Sequence, residues 1–161
     1  MAVAKMKHPT GRQVREVEST CKQGVVCEIK VQGGDHTIYT DEPEARGGTG
    51  TAASPLTFFT ASLAACQSVQ ITKVAEAMRF KHGAINIKAS TTTDRIQGVE
   101  EKEKVMRFCG ADLIIEIETN EPVDKLERLK RISEDRCPVG NIFTDAGYEP
   151  TITWKVLSLK E

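Results

Sequence analysis

The chain has 161 residues, of which 39% are hydrophobic and 28% charged, and its formal net charge at pH 7 is −1. This composition is typical of soluble globular proteins and differs from that of disordered or membrane-spanning chains. A nearly neutral chain has no overall field that attracts nucleic acid or an anionic membrane, so we expect neither as a partner. The length fits one domain, residues 1–161, with residues 1–11 as a loose lead-in. Without the apolar run of a signal peptide or a transmembrane segment, we expect a cytoplasmic protein.

The five cysteines show no spacing typical of a zinc site, and the three histidines lie far apart in sequence. We therefore expect no metal and no cofactor. An odd number of cysteines in a reducing compartment is weak support for a disulfide framework. Cys21 and Cys27 lie on either side of a turn signal at Gly24, and we expect both to be packing residues rather than a pair.

The N-terminal part of the chain has the alternating pattern of short strands. Apolar residues alternate over 14–17, 25–31 and 36–40, with turn signals at Gly24 and at residues 33–35. This pattern predicts a three-stranded antiparallel meander. A glycine-rich run, residues 46–51, follows it. The run lacks the lysine of a P-loop and the glycine spacing of a dinucleotide fingerprint, so we predict a flexible or close-packed loop rather than a phosphate site.

A long helix is predicted next, beginning with Ser54 as N-cap and Pro55 as the first helical residue. We expect it to run to about residue 80, where a glycine at position 83 is typical of a helix end. No charged side chain occurs from Pro55 to Ile71, which predicts a helix buried on all faces. Cys66 shares its apolar stripe with Leu56, Phe59 and Leu63. Local sequence therefore predicts a deep, inert thiol.

The C-terminal half alternates strands with one further helix. We predict strands over 84–93, 105–119 and 151–159, a charged hairpin tip over 94–104, and an amphipathic helix over 123–136 that Pro138 stops. Cys109, beside Gly110, indicates a bulge or a strand start. The order βββ-α-ββ-α-β predicts an α+β protein with mainly antiparallel sheets around a long central helix.

Two cysteine contexts carry a family resemblance. The first is the helix start Ser54-Pro55 followed by the small-residue run that ends in Ala64-Ala65-Cys66, and the second is Arg136-Cys137-Pro138-Val139. In this order they resemble the OsmC/Ohr family of osmotically inducible and organic hydroperoxide resistance proteins. The resemblance implies an intertwined homodimer and a thiol-dependent peroxidase that reduces organic hydroperoxides. It also implies Cys66 as the peroxidatic thiol, Cys137 as the resolving thiol and a dithiol as the reductant.

The charged groups that activate the thiol in this family are matched less completely. An arginine from the N-terminal region holds the thiolate there, and Arg12, Arg15 and Arg46 are all candidates for that role. The family also has a glutamate just after the helix-start proline, whereas this chain has Leu56. The departure keeps two alternatives open. One is a weak or inactive OsmC-like dimer that binds a small apolar or thiol-reactive ligand, and the other is a redox-sensing stress protein.

Overall fold

The computed structural model describes residues 13–22, 24–100 and 102–160. The predicted lead-in, residues 1–11, and the candidate Arg12 lie outside these ranges. The chain divides into two compact units, Met1–Pro55 and Leu56–Glu161. Each unit is described by itself.

The N-terminal unit contains an antiparallel sheet of order β1-β2-β3, which confirms the predicted meander. Its strands are β1 (Val17–Cys21), β2 (Cys27–Val31) and β3 (Thr37–Thr40). All five residues of β1 are exposed, whereas most residues of β2 are half-buried. The sheet therefore gains little from apolar burial along its first strand.

Cys21 and Cys27 form a disulfide across the β1–β2 hairpin, so the prediction of two unpaired packing residues is wrong. The two residues lie directly opposite each other in the register of the strands. A turn between two cysteines does not separate their side chains, because opposed residues of an antiparallel pair point to the same face of the sheet.

The loop after β3 is organised around the buried carboxylate of Asp41. This carboxylate accepts hydrogen bonds from the backbone amides of Glu42 at 2.7 Å, Thr49 at 3.0 Å and Thr51 at 3.0 Å. The hydroxyls of Thr49 and Thr51 also donate to it, at 2.7 and 3.1 Å. A Cβ at Gly48 would collide with the carbonyl oxygen of Glu42, so glycine permits this close approach. The glycine-rich run is thus a close-packed loop, as predicted. Its Thr49 and Thr51 amides donate to the carboxylate of Asp41 rather than facing a phosphate site.

The C-terminal unit packs three helices on a second sheet of order β4-β5-β6. Its elements are α1 (Pro55–Met78), β4 (Ile85–Gln97), β5 (Lys104–Glu118), α2 (Val123–Asp135), α3 (Pro138–Asp145) and β6 (Thr151–Leu157). Strands β4 and β5 are antiparallel, and β6 pairs with β5 in parallel. Cys109 is the extra residue of a bulge, since Thr92 pairs with Gly110 and the next residue, Thr93, pairs with Phe108. The predicted α+β class is confirmed, with α3 as an additional helix.

Helix α1 ends close to the predicted position, but Arg79 rather than Gly83 ends it. The helix stops at Met78, and Arg79 adopts a left-handed backbone with φ of 53°. The amide of Phe80 then bonds to the carbonyl of Ala75 at 2.8 Å, which is the closing bond of a Schellman motif. Gly83 serves close packing instead, because a Cβ there would collide with the side chain of Glu118.

A single chain does not test the prediction that α1 is buried on all faces, because the implied homodimer would add a second subunit. One stripe is buried, consisting of Leu63, Gln67, Ile71, Val74 and Ala75. Another face stays exposed, including Phe58 at 36% and Val69 at 46%. No helix in the described ranges is long and apolar enough to cross a membrane.

Candidate functional site

Cys137 occupies the start of α3, a helix that the sequence analysis missed. The predicted stop before Pro138 is confirmed, because α2 ends at Asp135 and Cys137 is extended with ψ of 98°. Pro138 is also the first residue of α3, a position where its missing amide costs nothing. Cys137 is the N-cap, and its Sγ accepts a hydrogen bond from the amide of Gly140 at 3.4 Å. The thiol is fully buried. The Cys137-Pro138 pair therefore sets both the helix start and the position of the sulfur.

Cys66 lies in mid-helix on α1 and packs against the hydrophobic core that contains Cys137, close enough to raise the pKa of the Cys137 thiol. The residues are 71 positions apart (137 − 66 = 71) and come from different helices. Cys66 is half-buried rather than deep, contrary to the local prediction. The cause is the buried stripe of α1, which centres on Leu63 and Gln67 and leaves Cys66 at its edge.

The environment of Cys137 disfavours its thiolate. Burial, the largest influence, raises the pKa of Cys137 from 9.0 to about 11. The neighbouring Cys66 side chain acts in the same direction, whereas the amide of Gly140 acts against both. At neutral pH Cys137 is therefore a neutral thiol.

An aromatic cluster connects the thiol-bearing helix α1 with α3 and strand β5. The ring of Phe59 on α1 is 4.8 Å from that of Phe108 on β5 and 5.7 Å from that of Phe143 on α3. Phe108 and Phe143 meet edge to face at 5.9 Å. This cluster fixes α3 against α1 and the sheet, and gives the site apolar surroundings.

Cys137 also lines a cleft of about 710 Å³ between α1, α2, α3 and the sheet. Leu63, Leu113 and Gln67 line it too and are almost fully buried. The Nε2 of Gln67 has no hydrogen-bond partner among the described residues. A buried donor without a partner is costly, so its presence points to a ligand or water in the cleft.

The rim of this cleft is polar and largely self-paired. Lys130 bonds Glu127 at 2.7 Å, and its Nζ lies 5.8 Å from the ring centre of Trp154. The indole nitrogen of Trp154 donates to Glu134 at 2.8 Å. The sequence does contain a signal for Gln67. Gln67 follows Leu63 by four residues and precedes Ile71 by four, which places an amide on the buried face of an uncharged helix.

The two described arginine candidates lie in the N-terminal unit. Arg15 donates to the side chain of Gln13 at 3.2 Å, and Arg46 forms an exposed ion pair with Glu42 at 3.5 Å. Their proposed role at Cys66 stays a prediction. Leu56, at the position of the family's glutamate, is 36% exposed in the first turn of α1. Within the described ranges there is no group of three or more side chains that could hold a metal ion.

Comparison with protein families decides the relationship. The model of the family described as OsmC-like protein matches residues 48–153, which contain both cysteine contexts. The chain belongs to the OsmC-like family. This confirms the resemblance seen in the sequence. A search of curated proteins gives no match.

Solved structures of OsmC-like proteins have the same fold. An OsmC-like protein from Mycoplasma pneumoniae is 14% identical with a TM-score of 0.71, and the match covers 92% of this chain and 99% of that one. An organic hydroperoxide resistance protein OsmC from Legionella pneumophila is 19% identical with a TM-score of 0.65, over 92% and 99%. The organic hydroperoxide resistance protein OhrB of Bacillus subtilis is 16% identical with a TM-score of 0.63, over 89% and 98%. At these identities the likeness shows the fold alone.

Proposed function

We propose that this OsmC-like protein is a thiol-dependent peroxidase that reduces organic hydroperoxides, with Cys66 as the peroxidatic and Cys137 as the resolving cysteine. The observation that carries the proposal is that a half-buried and a fully buried free cysteine share one hydrophobic core, close enough for Cys66 to raise the pKa of Cys137. The hydroperoxide resistance named for two of the fold relatives supports the same chemistry.

The reaction uses the two sulfurs in sequence. The Cys66 thiolate attacks a peroxide oxygen, the O–O bond breaks, and the alkoxide leaves as an alcohol after taking up a proton. Cys66 is then a sulfenic acid. The Cys137 sulfur attacks the Cys66 sulfur, the S–O bond breaks, and water leaves as the disulfide forms. A dithiol reduces that disulfide by two exchange steps and restores both thiols.

The charge that holds the Cys66 thiolate is proposed to come from an arginine of the N-terminal unit. Arg15 and Arg46 are the described candidates. A guanidinium is suited to this role because it stays charged and donates several hydrogen bonds. Replacement of each arginine by glutamine identifies the one that acts, because that variant raises the pH at which Cys66 begins to be alkylated. A lysine in its place restores the lower pH in part.

A peroxide-consumption assay with a dithiol tests the proposal. Cys66→Ser is expected to abolish turnover, and Cys137→Ser to slow it and to let a sulfenic acid on Cys66 accumulate, which dimedone traps. Cys109→Ser is the matched control, since Cys109 is also a half-buried free cysteine, and it should turn over like the wild type. Absence of turnover in the wild type, or full turnover without Cys66, would contradict the proposal. Disulfide formation without turnover would instead favour the redox-sensing stress protein.

The apolar surroundings of the site favour an organic substrate over hydrogen peroxide. Phe59 lies two helical turns before Cys66 and packs against Phe108 and Phe143. We expect a higher kcat/KM for cumene hydroperoxide than for hydrogen peroxide, since burial of the apolar group adds binding energy. Phe59→Ala should reduce the ratio of the two values. An unchanged ratio would show that this cluster does not face the substrate.

We infer that the protein acts as a homodimer in the cytoplasm. The exposed face of α1 supports the dimer, because Phe58, Ala61, Ala65 and Val69 present an uncharged helix surface with small residues that a second helix can approach. A charge on this face, as in Ala65→Glu, should shift the protein to a monomer in sedimentation. The reduced state of cytoplasmic thiols fits a cycle that depends on a dithiol.

The cleft at Cys137 favours a second candidate function, the binding of a small apolar or thiol-reactive ligand. The unpaired Gln67 Nε2 would donate to an oxygen at the buried end of the ligand. Binding of 2-phenylpropan-2-ol, measured by NMR titration, should weaken about tenfold in Gln67→Leu but not in Gln70→Leu, which changes the next glutamine of α1. Faster alkylation of Cys109 than of Cys66 by N-ethylmaleimide would further favour this binding function over the peroxidase.

A further inference from the structure

We propose that Cys21 and Cys27 form a second redox site, which exchanges with small thiols and disulfides and holds strand β1 against β2. The site lies within the N-terminal unit and uses neither Cys66 nor Cys137. It is also independent of the proposed peroxidase activity.

The strand register brings the two sulfurs together. Cys21 and Cys27 are direct partners at the turn end of the β1–β2 ladder, with their Cα atoms 4.5 Å apart. This separation is within the range that a disulfide spans, and it is typical of a non-hydrogen-bonded antiparallel pair. Two such residues exchange no backbone hydrogen bonds, so the bond between their side chains is their direct link.

Solvent reaches this pair, in contrast to the buried Cys137. Cys21 is exposed and Cys27 is half-buried. An incoming thiolate can therefore attack Cys21 without opening a core. Exposed disulfides exchange readily, whereas buried structural disulfides resist reduction. After reduction, the Cys27 thiol has the carbonyl oxygen of Val25 as an acceptor at 3.7 Å.

In the part of the chain that the structure describes, strand β1 has no buried residue to hold it. All five residues of β1 are exposed, and β1 is an edge strand with β2 as its partner. Its attachment therefore rests on the ladder hydrogen bonds and on the disulfide. Reduction removes the covalent link and should let β1 separate from β2 more often.

Reduction and oxidation of the Cys21–Cys27 disulfide need only small thiols and disulfides such as glutathione. A glutathione thiolate attacks one sulfur, the Cys21–Cys27 bond breaks, and the released cysteine takes up a proton. A second glutathione attacks the mixed disulfide, which leaves two cysteine thiols and one oxidised glutathione. Oxidation is the reverse, in which oxidised glutathione accepts the two electrons and is released as two reduced molecules.

Peptide mapping of the full chain in glutathione buffers tests the site directly. Trypsin cuts after Lys22, so the disulfide joins the two separate peptides 16–22 and 23–30. The joined pair is expected in oxidising buffer, and it should convert reversibly to two alkylated peptides as reduced glutathione increases. Cys109→Ser should leave this conversion unchanged.

Hydrogen exchange measures the effect on β1. Reduction should lower the protection of the amides of residues 17–21 on the order of tenfold, as loss of a short disulfide-closed loop predicts. The double variant Cys21→Ser, Cys27→Ser should show this low protection in both buffers. Two results would overturn the redox site: both cysteines fully alkylated at every glutathione ratio, or a joined pair that survives excess dithiol in the folded protein. Equal protection of β1 in both redox states would overturn its role in holding the strand.

Discussion

The two units bury different types of residue. In the C-terminal unit they are mostly apolar, and Ile115, Ile117 and Leu129 are fully buried. In the described part of the N-terminal unit the fully buried residues are Thr40 and Asp41. One unit is therefore stabilised chiefly by apolar packing, and the other by hydrogen bonds to a carboxylate and by strand pairing.

This contrast extends to the cysteines. Cys66 and Cys137 are free thiols on two helices inside the apolar unit, and burial keeps Cys137 protonated. The Cys21 and Cys27 pair joins two strands at the surface of the polar unit. A buried thiol suits a step that must exclude competing thiols, whereas an exposed pair can follow the redox state of the solution.

The largest expected effect is a cavity in the apolar unit. Ile115→Ala, at a fully buried position in β5, should lower the free energy of unfolding by about 3 to 4 kcal/mol. Urea denaturation measures the change. Ile96→Ala is the control, because Ile96 is 45% exposed on the neighbouring strand β4 and should cost less than about 1 kcal/mol. Equal losses would mean that the core does not dominate the stability of this unit.

The second effect concerns the polar unit. Asp41→Asn keeps the shape of the side chain but removes its charge and places two donors where amides and hydroxyls donate. We expect faster hydrogen exchange over residues 42–51 and a lower melting temperature. Asp35→Asn, in an exposed turn of the same unit, should change neither. An Asp41→Asn loop that exchanges as slowly as the wild type would show that the carboxylate does not organise it.

Protonation of Asp41 at low pH should weaken the same loop. The hydroxyl of Thr49 and the amide of Thr51, the two largest influences, hold the pKa of Asp41 well below its ordinary value of 3.8. A lowered folded pKa stabilises the fold above the unfolded pKa, and this contribution is lost as the pH falls below about 4. The protection factors of the amides of residues 42–51, which correct for the intrinsic pH dependence of exchange, should therefore fall at low pH in the wild type more than in Asp41→Asn.

Features that are set by adjacent residues, such as a helix start or a bulge, were predicted correctly from the sequence. Ser54-Pro55 gave the start of α1, and the Cys109-Gly110 bulge was anticipated, because a cap and a bulge are set by the residues present. The helix ends near Gly83 and Pro138 were predicted to within about two residues. What the rules could not predict is that Gly83 permits a close contact with Glu118 and that Pro138 starts α3, because both depend on residues further along the chain.

The candidate site was less predictable from local sequence than the fold. The pairing of Cys66 with Cys137 came from the family resemblance, since no local pattern connects positions 71 residues apart (137 − 66 = 71). Asp41 was missed because its partners, Thr49 and Thr51, carry no signal of their own until the loop closes around it. Cys21 and Cys27 were missed although their register follows from the hairpin that was itself predicted.

Alkaline pH should weaken the apolar unit through Cys137. The pKa of Cys137 is raised from 9.0 to about 11, mainly by burial, so the folded state holds the proton that the unfolded chain releases. Its stabilising contribution is complete below about pH 9 and is lost between about pH 9 and 11. Urea denaturation across this range should show a steeper loss for the wild type than for Cys137→Ala. Parallel curves would indicate that the thiol titrates normally.

The smallest expected effect is at the surface of the second sheet. Lys155 on β6 bonds Glu116 on β5 at 3.2 Å, and this hydrogen bond is the main cause that lowers the pKa of Glu116. Lys155→Met should raise that pKa toward its ordinary value, which NMR titration of the carboxyl group can follow. The melting temperature should hardly change, because exposed ion pairs are screened by solvent. A loss of stability close to that of Ile115→Ala would remove the contrast between the two units, since surface charge would then stabilise the apolar unit as strongly as its core.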